Sequence, residues 1–223
     1  MLAKAPENAP IGEAAYRRIR SDIIFGRLAP GQKLKLDRLK EGYGISVSTL
    51  RELLGRLSTE GLIVAEAQRG FEVSPVSAGD LREVAAMRQL LECHAMEQSF
   101  AAGDLEWEGR VVSAHHKLSL IEKRLIAGEL SETDAWKRYD WEFHRALISA
   151  CGSSALLEIH AAVYDKYLRY QMIAFEFRGE IAAQEHQKLL ELALGRVSPA
   201  AQEVLATHIE TCIEHTLASG ILG

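Results

Sequence analysis

The chain has 223 residues, of which 48% are hydrophobic and 26% are charged, with a formal net charge of −5. This length and composition indicate a folded protein of one large domain or two modest ones, and they exclude a disordered chain. No apolar run approaches the roughly 20 residues that span a bilayer, and residues 1–10 lack the apolar core of a signal peptide, so we expect a cytoplasmic protein with no membrane partner.

The three cysteines are far apart and form no CxxC pair, which indicates small buried thiols and neither a disulfide framework nor a cysteine zinc site.

Charge is distributed unevenly along the chain. Residues 1–75 contain 12 Lys and Arg against 9 Asp and Glu, a net charge of +3, whereas residues 76–223 have a net charge of −8. A basic first third joined to an acidic remainder suggests that only the first part contacts a polyanion.

Residues 11–76 have the pattern of a winged helix-turn-helix domain, preceded by a polar, Pro-containing segment, residues 1–10, that we expect to be flexible. Apolar positions at helical spacing predict helices over residues 11–25 and 36–43, and a third helix that begins after Ser46 or Ser48. Two β-prone runs, residues 62–65 and 70–73, predict the hairpin that forms the wing.

The start of the third helix has the residue types that recognition of a DNA major groove requires. Small hydroxyl side chains, at Ser46, Ser48 and Thr49, let the backbone approach the DNA. The guanidinium of Arg51 can read a guanine or hold a phosphate. The alternative is a small α/β subdomain that binds nothing. The basic charge, the hydroxyl-rich turn and the wing together favour DNA binding.

Residues 77–223 are predicted to form an all-α antiparallel helical bundle, which makes the whole chain mainly α. Helical segments cover about residues 80–102, 105–127, 131–151, 154–176, 179–195 and 199–218, separated by short breaks that contain glycine. Such short breaks favour antiparallel neighbours, and no strand pattern is found in this half.

Four residues of the bundle have spacings that suit a metal ion. Asp140 and His144 share one face of a helix, where they can bind a cation or simply form an ordinary hydrogen bond. His186 and His208 each lie 11 residues from Val197, the midpoint of the turn between the last two helices, so an antiparallel hairpin places them at the same height. One carboxylate and three imidazoles suit Zn²⁺, Ni²⁺, Mn²⁺ or Fe²⁺ and leave positions open for water or a ligand oxygen. The other five histidines have no comparable spacing and are interpreted as structural or surface residues.

The order and spacing of several short motifs resemble the GntR superfamily of bacterial transcription regulators, in its FadR-type branch with an FCD ligand-binding domain. The resemblance extends from about residue 14 to residue 217, and its motifs are Tyr16 through Pro30-Gly31, Ser48-Thr49-Leu50-Arg51-Glu52, Glu60-Gly61-Leu62, Arg69-Gly70-Phe71, Arg88 with Glu92, Asp140 to His144, Glu185-His186 and His208. Within the branch, Ala150-Cys151-Gly152-Ser153 and Tyr164-Asp165 with Arg169-Tyr170 look most like regulators of glutarate and 4-aminobutyrate catabolism genes.

The resemblance implies which residues contact DNA. Val47 stands where the family usually has an arginine, so one base or phosphate contact is missing and the operator can differ from the family's usual one. The implied contacts, of which the last two enter the minor groove, are Ser46, Ser48, Thr49, Arg51, Arg69 and Gly70.

The resemblance also implies the residues of the sensing site. Arg88 aligns with a residue that binds the effector's carboxylate in relatives, the alternative being a salt bridge to Glu92 one turn away. Ser153 stands where many relatives have Asn beside the metal pocket, so it is assigned to the effector site without carrying over the effector's identity. The implied ligands of the divalent metal, with zinc the expected ion, are Asp140, His144, His186 and His208.

The sequence therefore predicts a homodimeric repressor, not an enzyme. It would bind a palindromic operator in double-stranded DNA and sense a small carboxylate or dicarboxylate at its metal site. The alternative function is a metal-dependent hydrolase or lyase on the helical bundle, since three histidines and an aspartate with an open position can activate water. No motif places a further Glu or His to act as general base, and the winged segment would then have no role.

Overall fold

The structure, a computed structural model, describes residues 11–66, 70–129, 133–174 and 177–222. The first part consists of helices α1 (Ile11–Ile24), α2 (Leu36–Tyr43) and α3 (Val47–Thr59) and strands β1 (Lys33–Leu34), β2 (Ile63–Glu66) and β3 (Gly70–Val73). The strands form an antiparallel sheet in the order β1-β3-β2, in which Lys33 pairs with Glu72 and Ile63 pairs with Val73. The winged helix-turn-helix is confirmed. Strand β1 was not predicted, because two residues are too short to show an alternating pattern.

Helix α3 begins where its capping residue predicts. Ser46 is the N-cap, because its side-chain oxygen accepts a hydrogen bond from the backbone N–H of Thr49 at 3.1 Å. Its apolar stripe is fully buried at Leu50 and Leu54, which pack against Ile19 and Ile23 of α1 in the core of this domain. The opposite face of α3 is exposed, for example at Arg51 and Arg56.

The second part contains six helices among the described residues: α4 (Ala78–Ala102), α5 (Leu105–Ile126), α6 (Thr133–Ile148), α7 (Ser154–Ala174), α8 (Glu180–Leu194) and α9 (Ser198–Ala218). Helix α5 packs mainly on α6 and α8, and α4 packs mainly on α7, α9 and α6. Sequence neighbours α5 and α6, and likewise α8 and α9, are therefore also neighbours in space, whereas α4 and α5 each pack chiefly on other helices. The all-α bundle is confirmed. No described helix is long and apolar enough to cross a membrane.

Helix α1 of the first domain packs directly on helix α7 of the bundle. Ile24 lies in a small buried cluster with Tyr164 and Leu168. Next to it, the guanidinium of Arg20 donates to Oδ2 of Asp165 at 2.6 Å, and its Nε donates to Glu60 at 2.8 Å. Glu60 is the C-cap residue of α3, so this arginine connects α7 to the C-terminal end of α3.

Candidate metal centre and DNA-binding surface

Three helices bring one aspartate and three histidines to a common point inside the bundle. Helix α6 positions Asp140 and His144 one turn apart, α8 positions His186, and α9 positions His208. One ligand atom from each of the four lies within 4.8 Å of the others, and all four side chains are buried. The structure thus brings together the four residues that spacing had singled out.

The three histidines of the cluster are oriented in the same way. Each has its Nδ1 atom against a buried or half-buried carboxylate from α4, α5 or α8, so each Nε2 atom is the one left for the centre of the cluster. The Nδ1-to-oxygen distances are 3.1 Å for His144 and Glu92, 2.6 Å for His186 and Glu122, and 2.7 Å for His208 and Glu185.

The donor atoms that face the centre fit a divalent cation. Nε2 of His144 and Nε2 of His186 are buried without a hydrogen-bond partner among the described residues, which is costly unless something else binds them. Oδ1 of Asp140 lies 3.3 Å from Nε2 of His186 at ion-pair distance, while Oδ2 accepts from the hydroxyl of Tyr164 at 2.5 Å. Three imidazole nitrogens and a carboxylate oxygen are a donor set for Zn²⁺ and related transition metals.

The surroundings give the ligand side chains different protonation behaviour. Burial lowers the pKa of His186, but its contacts with Asp140 and Glu122 outweigh burial and raise this pKa to about 9. Burial dominates at His208 and lowers its pKa to about 3, despite the hydrogen bond with Glu185. Asp140 is the reverse case: burial raises the pKa of the carboxyl, but the contact with His186 and nearby positive charge hold it well below its usual range. The aspartate is therefore ionised and His208 neutral at pH 7.

Arg88, the residue implied to bind the effector, lies against the cluster and is fully buried. Its Nε donates to Oε1 of Glu92 at 2.8 Å, so the alternative interpretation, a salt bridge at i+4, is present. Its Nη2 lies 3.1 Å from Nδ1 of His144, and the rings of Tyr164 and Tyr167 stack against the guanidinium, each 4.6 Å from it. Nη1 is buried and has no hydrogen-bond partner among the described residues.

A small cavity reaches the cluster from the side of Asp140 and His208. It has about 20 Å³ of water-accessible volume, enough for roughly one water molecule. Two cationic side chains that the sequence interpretation missed, Lys137 and Arg178, line it. Lys137 donates to Gln171 at 2.6 Å, and burial lowers its pKa to about 8.

Ser153 has a structural contact in this fold. Its hydroxyl oxygen accepts a hydrogen bond from the backbone N–H of Leu156 at 3.2 Å, at the start of α7. It does not line the cavity beside Asp140. Its assignment to the effector site therefore remains a prediction.

The residues expected to contact DNA lie at the exposed start of α3. Ser46 and Ser48 are exposed, with their hydroxyl oxygens 2.8 Å apart, and Thr49 is half-buried. Arg51 is exposed and forms no ion pair with another described residue. Gly70, at the start of β3, is exposed and has φ +94°, a conformation that favours glycine. The predicted contact from Arg69 falls outside the described residues.

Sequence reasoning missed several groups around the cluster. Glu122 is 64 residues from His186, and no local pattern connects them. His160, interpreted as structural or surface, is fully buried, and its Nε2 lies 2.8 Å from Oε1 of Glu92. The sequence offers one signal for a role of Glu122, namely that a charged residue stands near the apolar stripe of α5. This signal is weak, because the sequence does not show which helix faces Glu122.

The profile of bacterial regulatory proteins of the gntR family matches residues 11–73, and that of the FCD domain matches residues 83–211. The chain belongs to the GntR family. This GntR protein is a DNA-binding transcriptional regulator with an FCD domain, and the enzyme alternative, a metal-dependent hydrolase or lyase, is wrong.

Two curated relatives of this GntR regulator span most of its length. It is 40% identical to the uncharacterized HTH-type transcriptional regulator BphR of Paraburkholderia xenovorans (strain LB400), over 94% of this chain and 86% of the relative. It is 31% identical to the HTH-type transcriptional repressor GlaR of Escherichia coli (strain K12), over 89% of this chain and 92% of the relative.

Solved structures share the fold of this GntR regulator. A GntR transcriptional regulator from Rhodococcus sp. RHA1 superposes with a TM-score of 0.75 at 24% identity, over 93% of this chain and 97% of that one. E. coli McbR/YncC superposes with a TM-score of 0.78 at 17% identity, over 95% of this chain and 99% of that one. At these identities the likeness concerns the fold alone.

Proposed function

We propose that this regulator is a homodimeric repressor that binds a palindromic operator and senses a small carboxylate at a metal ion in its FCD domain. The observation that carries the proposal is the convergence of three histidines and one aspartate, all buried, each with one ligand atom within 4.8 Å of the others. The oriented Nδ1 partners, and the buried Nε2 atoms of His144 and His186 that form no hydrogen bond with described residues, support a resident metal. The resemblance to the family supports a dimer and a repressor, and GlaR is named a repressor.

The metal would be bound by Asp140, His144, His186 and His208, with zinc the expected ion. This donor set leaves a position open for a ligand oxygen. When bound, the ion would supply a Lewis-acidic centre that attracts an effector carboxylate. Lys137 and Arg178, which line the adjacent cavity, would supply cationic hydrogen-bond donors for an anion. We keep Arg88, whose buried Nη1 has no hydrogen-bond partner among the described residues, and Ser153 as proposed effector residues. Neither lines the cavity beside Asp140 in this conformation.

Effector binding would have to enlarge the cavity. Its volume of about 20 Å³ holds roughly one water molecule, which is much smaller than a dicarboxylate. An effector therefore favours a conformation in which Lys137, Arg178 or the helices around them have moved. The effector changes operator affinity only to the extent that it prefers one of these conformations.

A route from the metal cluster to the DNA-binding domain runs through α7. The hydroxyl of Tyr164 donates to Asp140, and the ring of Tyr164 packs with Ile24 of α1. The neighbouring Asp165 is paired with Arg20. A shift of α7 would therefore move α1 and, in a dimer, change the spacing of two recognition helices, which is expected to be about 34 Å on an operator.

The test of this function combines operator binding with metal analysis. We expect the purified protein to retard DNA from its own upstream region specifically, as a dimer in sedimentation, and small carboxylates to change that affinity. His208→Ala should lose most of the bound metal, whereas the exposed His116→Ala should retain it. Absence of sequence-specific binding at both low and moderate salt would refute the operator proposal. Full metal content in His208→Ala would refute the ligand set.

A further inference from the structure

The side chains of Arg88 and Arg178, which are 0% and 6% exposed, each have a carboxylate partner. Arg88 is paired with Glu92 at 2.8 Å, and Arg178 is paired with Glu185 at 2.6 Å. Arg169 on α7 differs from them. It is 5% exposed, yet no carboxylate of the described residues lies within 4.0 Å of its guanidinium. A buried cation without a nearby anion is unfavourable, because its hydration is lost without compensation.

The contacts of Arg169 do not neutralise its charge. Its Nη2 donates to the carbonyl oxygen of Ser74, and its Nε has no hydrogen-bond partner among the described residues. The carboxylate of Asp80 attracts the Arg169 guanidinium, but it already accepts a hydrogen bond from the hydroxyl of Tyr170. Burial lowers the pKa of Arg169, and the attraction of Tyr170 and Asp80 does not offset this. By contrast, the carboxylate partner of Arg88 outweighs burial and raises the pKa of that guanidinium well above its usual value.

Arg169 lines a cleft between the two domains. The cleft has a volume of about 310 Å³, within the range of small-molecule sites. One side consists of Gly61, Leu62 and residues 74–77, which connect the wing to the bundle. The other side is α7 together with Asp80 of α4, whose carboxylate accepts the hydrogen bond from Tyr170. Lys166, one turn before Arg169 on α7, also lines it, is exposed, and forms no ion pair with a described residue.

We propose that this inter-domain cleft binds a small anion, through a carboxylate or phosphate group held by Arg169 and Lys166. An anion there would offset the burial of the Arg169 guanidinium, and the unused Nε donor provides a charge-assisted hydrogen bond. The site is distinct from the metal cluster, with which it shares no lining residue. Since residues of both domains line the cleft, the bound anion connects residues 74–77 to α7, and its occupancy is linked to the relative position of the two domains.

The experiment uses the full-length protein stripped of metal by a chelator, so that a metal ion cannot hold the probe. Inorganic phosphate and succinate are titrated separately in a buffer without either, against sodium chloride at matched ionic strength. Binding is followed by calorimetry and by the apparent melting temperature, which a ligand of the folded state raises. We expect one of the two anions to bind, and the one that binds identifies the preferred group.

Three variants assign the binding to the cleft. Arg169→Gln should weaken the anion's affinity at least about tenfold, the loss expected for one charge-assisted hydrogen bond, and Lys166→Gln should weaken it several-fold. Lys188→Gln, which removes an exposed lysine on α8, should leave it unchanged. If Arg169→Gln does not fold, the loss of affinity in Lys166→Gln still tests the cleft, because Lys166 is exposed.

Two results would overturn the proposal. One is that neither phosphate nor succinate binds more tightly than chloride at the same ionic strength. The other is that Lys166→Gln weakens binding no more than Lys188→Gln does, which means that the anion is not held in the cleft. Neither result bears on the proposed metal sensor, because the protein is metal-free and no DNA is present in this experiment.

Discussion

Nδ1 of His186 lies 2.6 Å from Oε1 of Glu122, a carboxylate on α5 whose side chain is 1% exposed. The contact fixes the orientation of the imidazole and leaves Nε2 pointing to the cluster that it forms with Asp140. A carboxylate at this position also makes the imidazole a better electron donor. Glu122 therefore supports the proposed metal site without belonging to its ligands.

Replacement of Glu122 should weaken metal binding. We expect Glu122→Gln to lower the affinity for Zn²⁺ by roughly 10- to 100-fold, because the imidazole of His186 loses its charged partner. Competition with a chromophoric chelator measures this affinity. Glu142→Gln is the control, since Glu142 on α6 is 37% exposed and pairs with Lys117 away from the cluster. Equal affinities for the two variants would contradict the role of Glu122.

Metal binding should release about one proton at pH 7. Without metal, the pKa of His186 is about 9, so its ring is protonated at pH 7, whereas a ligand histidine must be neutral. The pKa of His208 is about 3 and that of His144 is lowered by burial, so these two rings are already neutral and release nothing. Affinity should therefore rise roughly tenfold for each pH unit from 6 to 8 and level off above 9.

Calorimetric titrations of Zn²⁺ in two buffers of different ionisation enthalpy count the protons released. Release of about three protons would mean that all three rings are protonated in the metal-free protein. A pH-independent affinity would show that His186 is not the group that loses the proton.

Arg51→Ala should reduce operator affinity and leave metal content unchanged. The guanidinium is exposed at the start of α3, and its loss should cost about 1–3 kcal/mol for each recognition helix that reads a base. Fluorescence anisotropy at one fixed salt concentration measures the affinity. The matched control is Arg82→Ala, an exposed arginine on α4. An equal loss in both variants would indicate nonspecific charge effects in place of base recognition.

The pair formed by Arg20 and Asp165 should couple the stabilities of the two domains. Their side chains are 16% and 4% exposed, so the interaction is only weakly screened. We expect Asp165→Asn to lower the free energy of unfolding by roughly 1–3 kcal/mol, less than for an isolated buried ion, because Arg20 retains Glu60. A double-mutant cycle with Arg20→Met, followed by urea denaturation, should give a coupling energy of about 0.5–3 kcal/mol.

The half-buried pair of Glu13 and Arg17 on α1 provides the comparison. These residues are one turn apart and 33% and 38% exposed, so their coupling should be only about 0.3–0.5 kcal/mol. Equal coupling energies for the two pairs would refute a special role for the contact between α1 and α7.

Gly103 should not tolerate a side chain. A Cβ atom at this position would lie 2.5 Å from the ring of Trp107 and 2.5 Å from Nη1 of Arg196. The ring of Trp107 is fully buried and donates to the carbonyl of Ala146, so it cannot move without disturbing the core. We expect Gly103→Ala to destabilise the protein by about 1–3 kcal/mol in thermal or urea denaturation.

Gly109 serves as the matched control for Gly103. It lies within α5 and is exposed, and a methyl group added there would meet no neighbouring side chain within 4 Å. Gly109→Ala should therefore stabilise the helix by about 0.5–1 kcal/mol. Opposite signs for the two substitutions are the expected outcome. A neutral Gly103→Ala would show that the connection between α4 and α5 can relax.

Local features of the sequence determined the elements of this protein. Helix periodicity, capping residues and glycine breaks place the helices within a few residues of their bounds, and Ser46 and Ser77 cap α3 and α4 through side-chain oxygens. Helical spacing alone puts Asp140 beside His144, and the symmetric distances of His186 and His208 from one turn put them opposite each other. These relations are local or depend on a single short turn, so a pattern in the chain can specify them.

Tertiary structure alone decided the partners of those elements. Periodicity shows which face of a helix is buried but not which helix lies against it, and the two-residue connection from α4 to α5 did not make them principal neighbours. For this reason Glu122 behind His186 and the cations Lys137 and Arg178 beside the cluster could not be read from the chain. The missing carboxylate partner of Arg169 is likewise a property of the packed interior, because only packing of the helices determines which charges are buried without compensation.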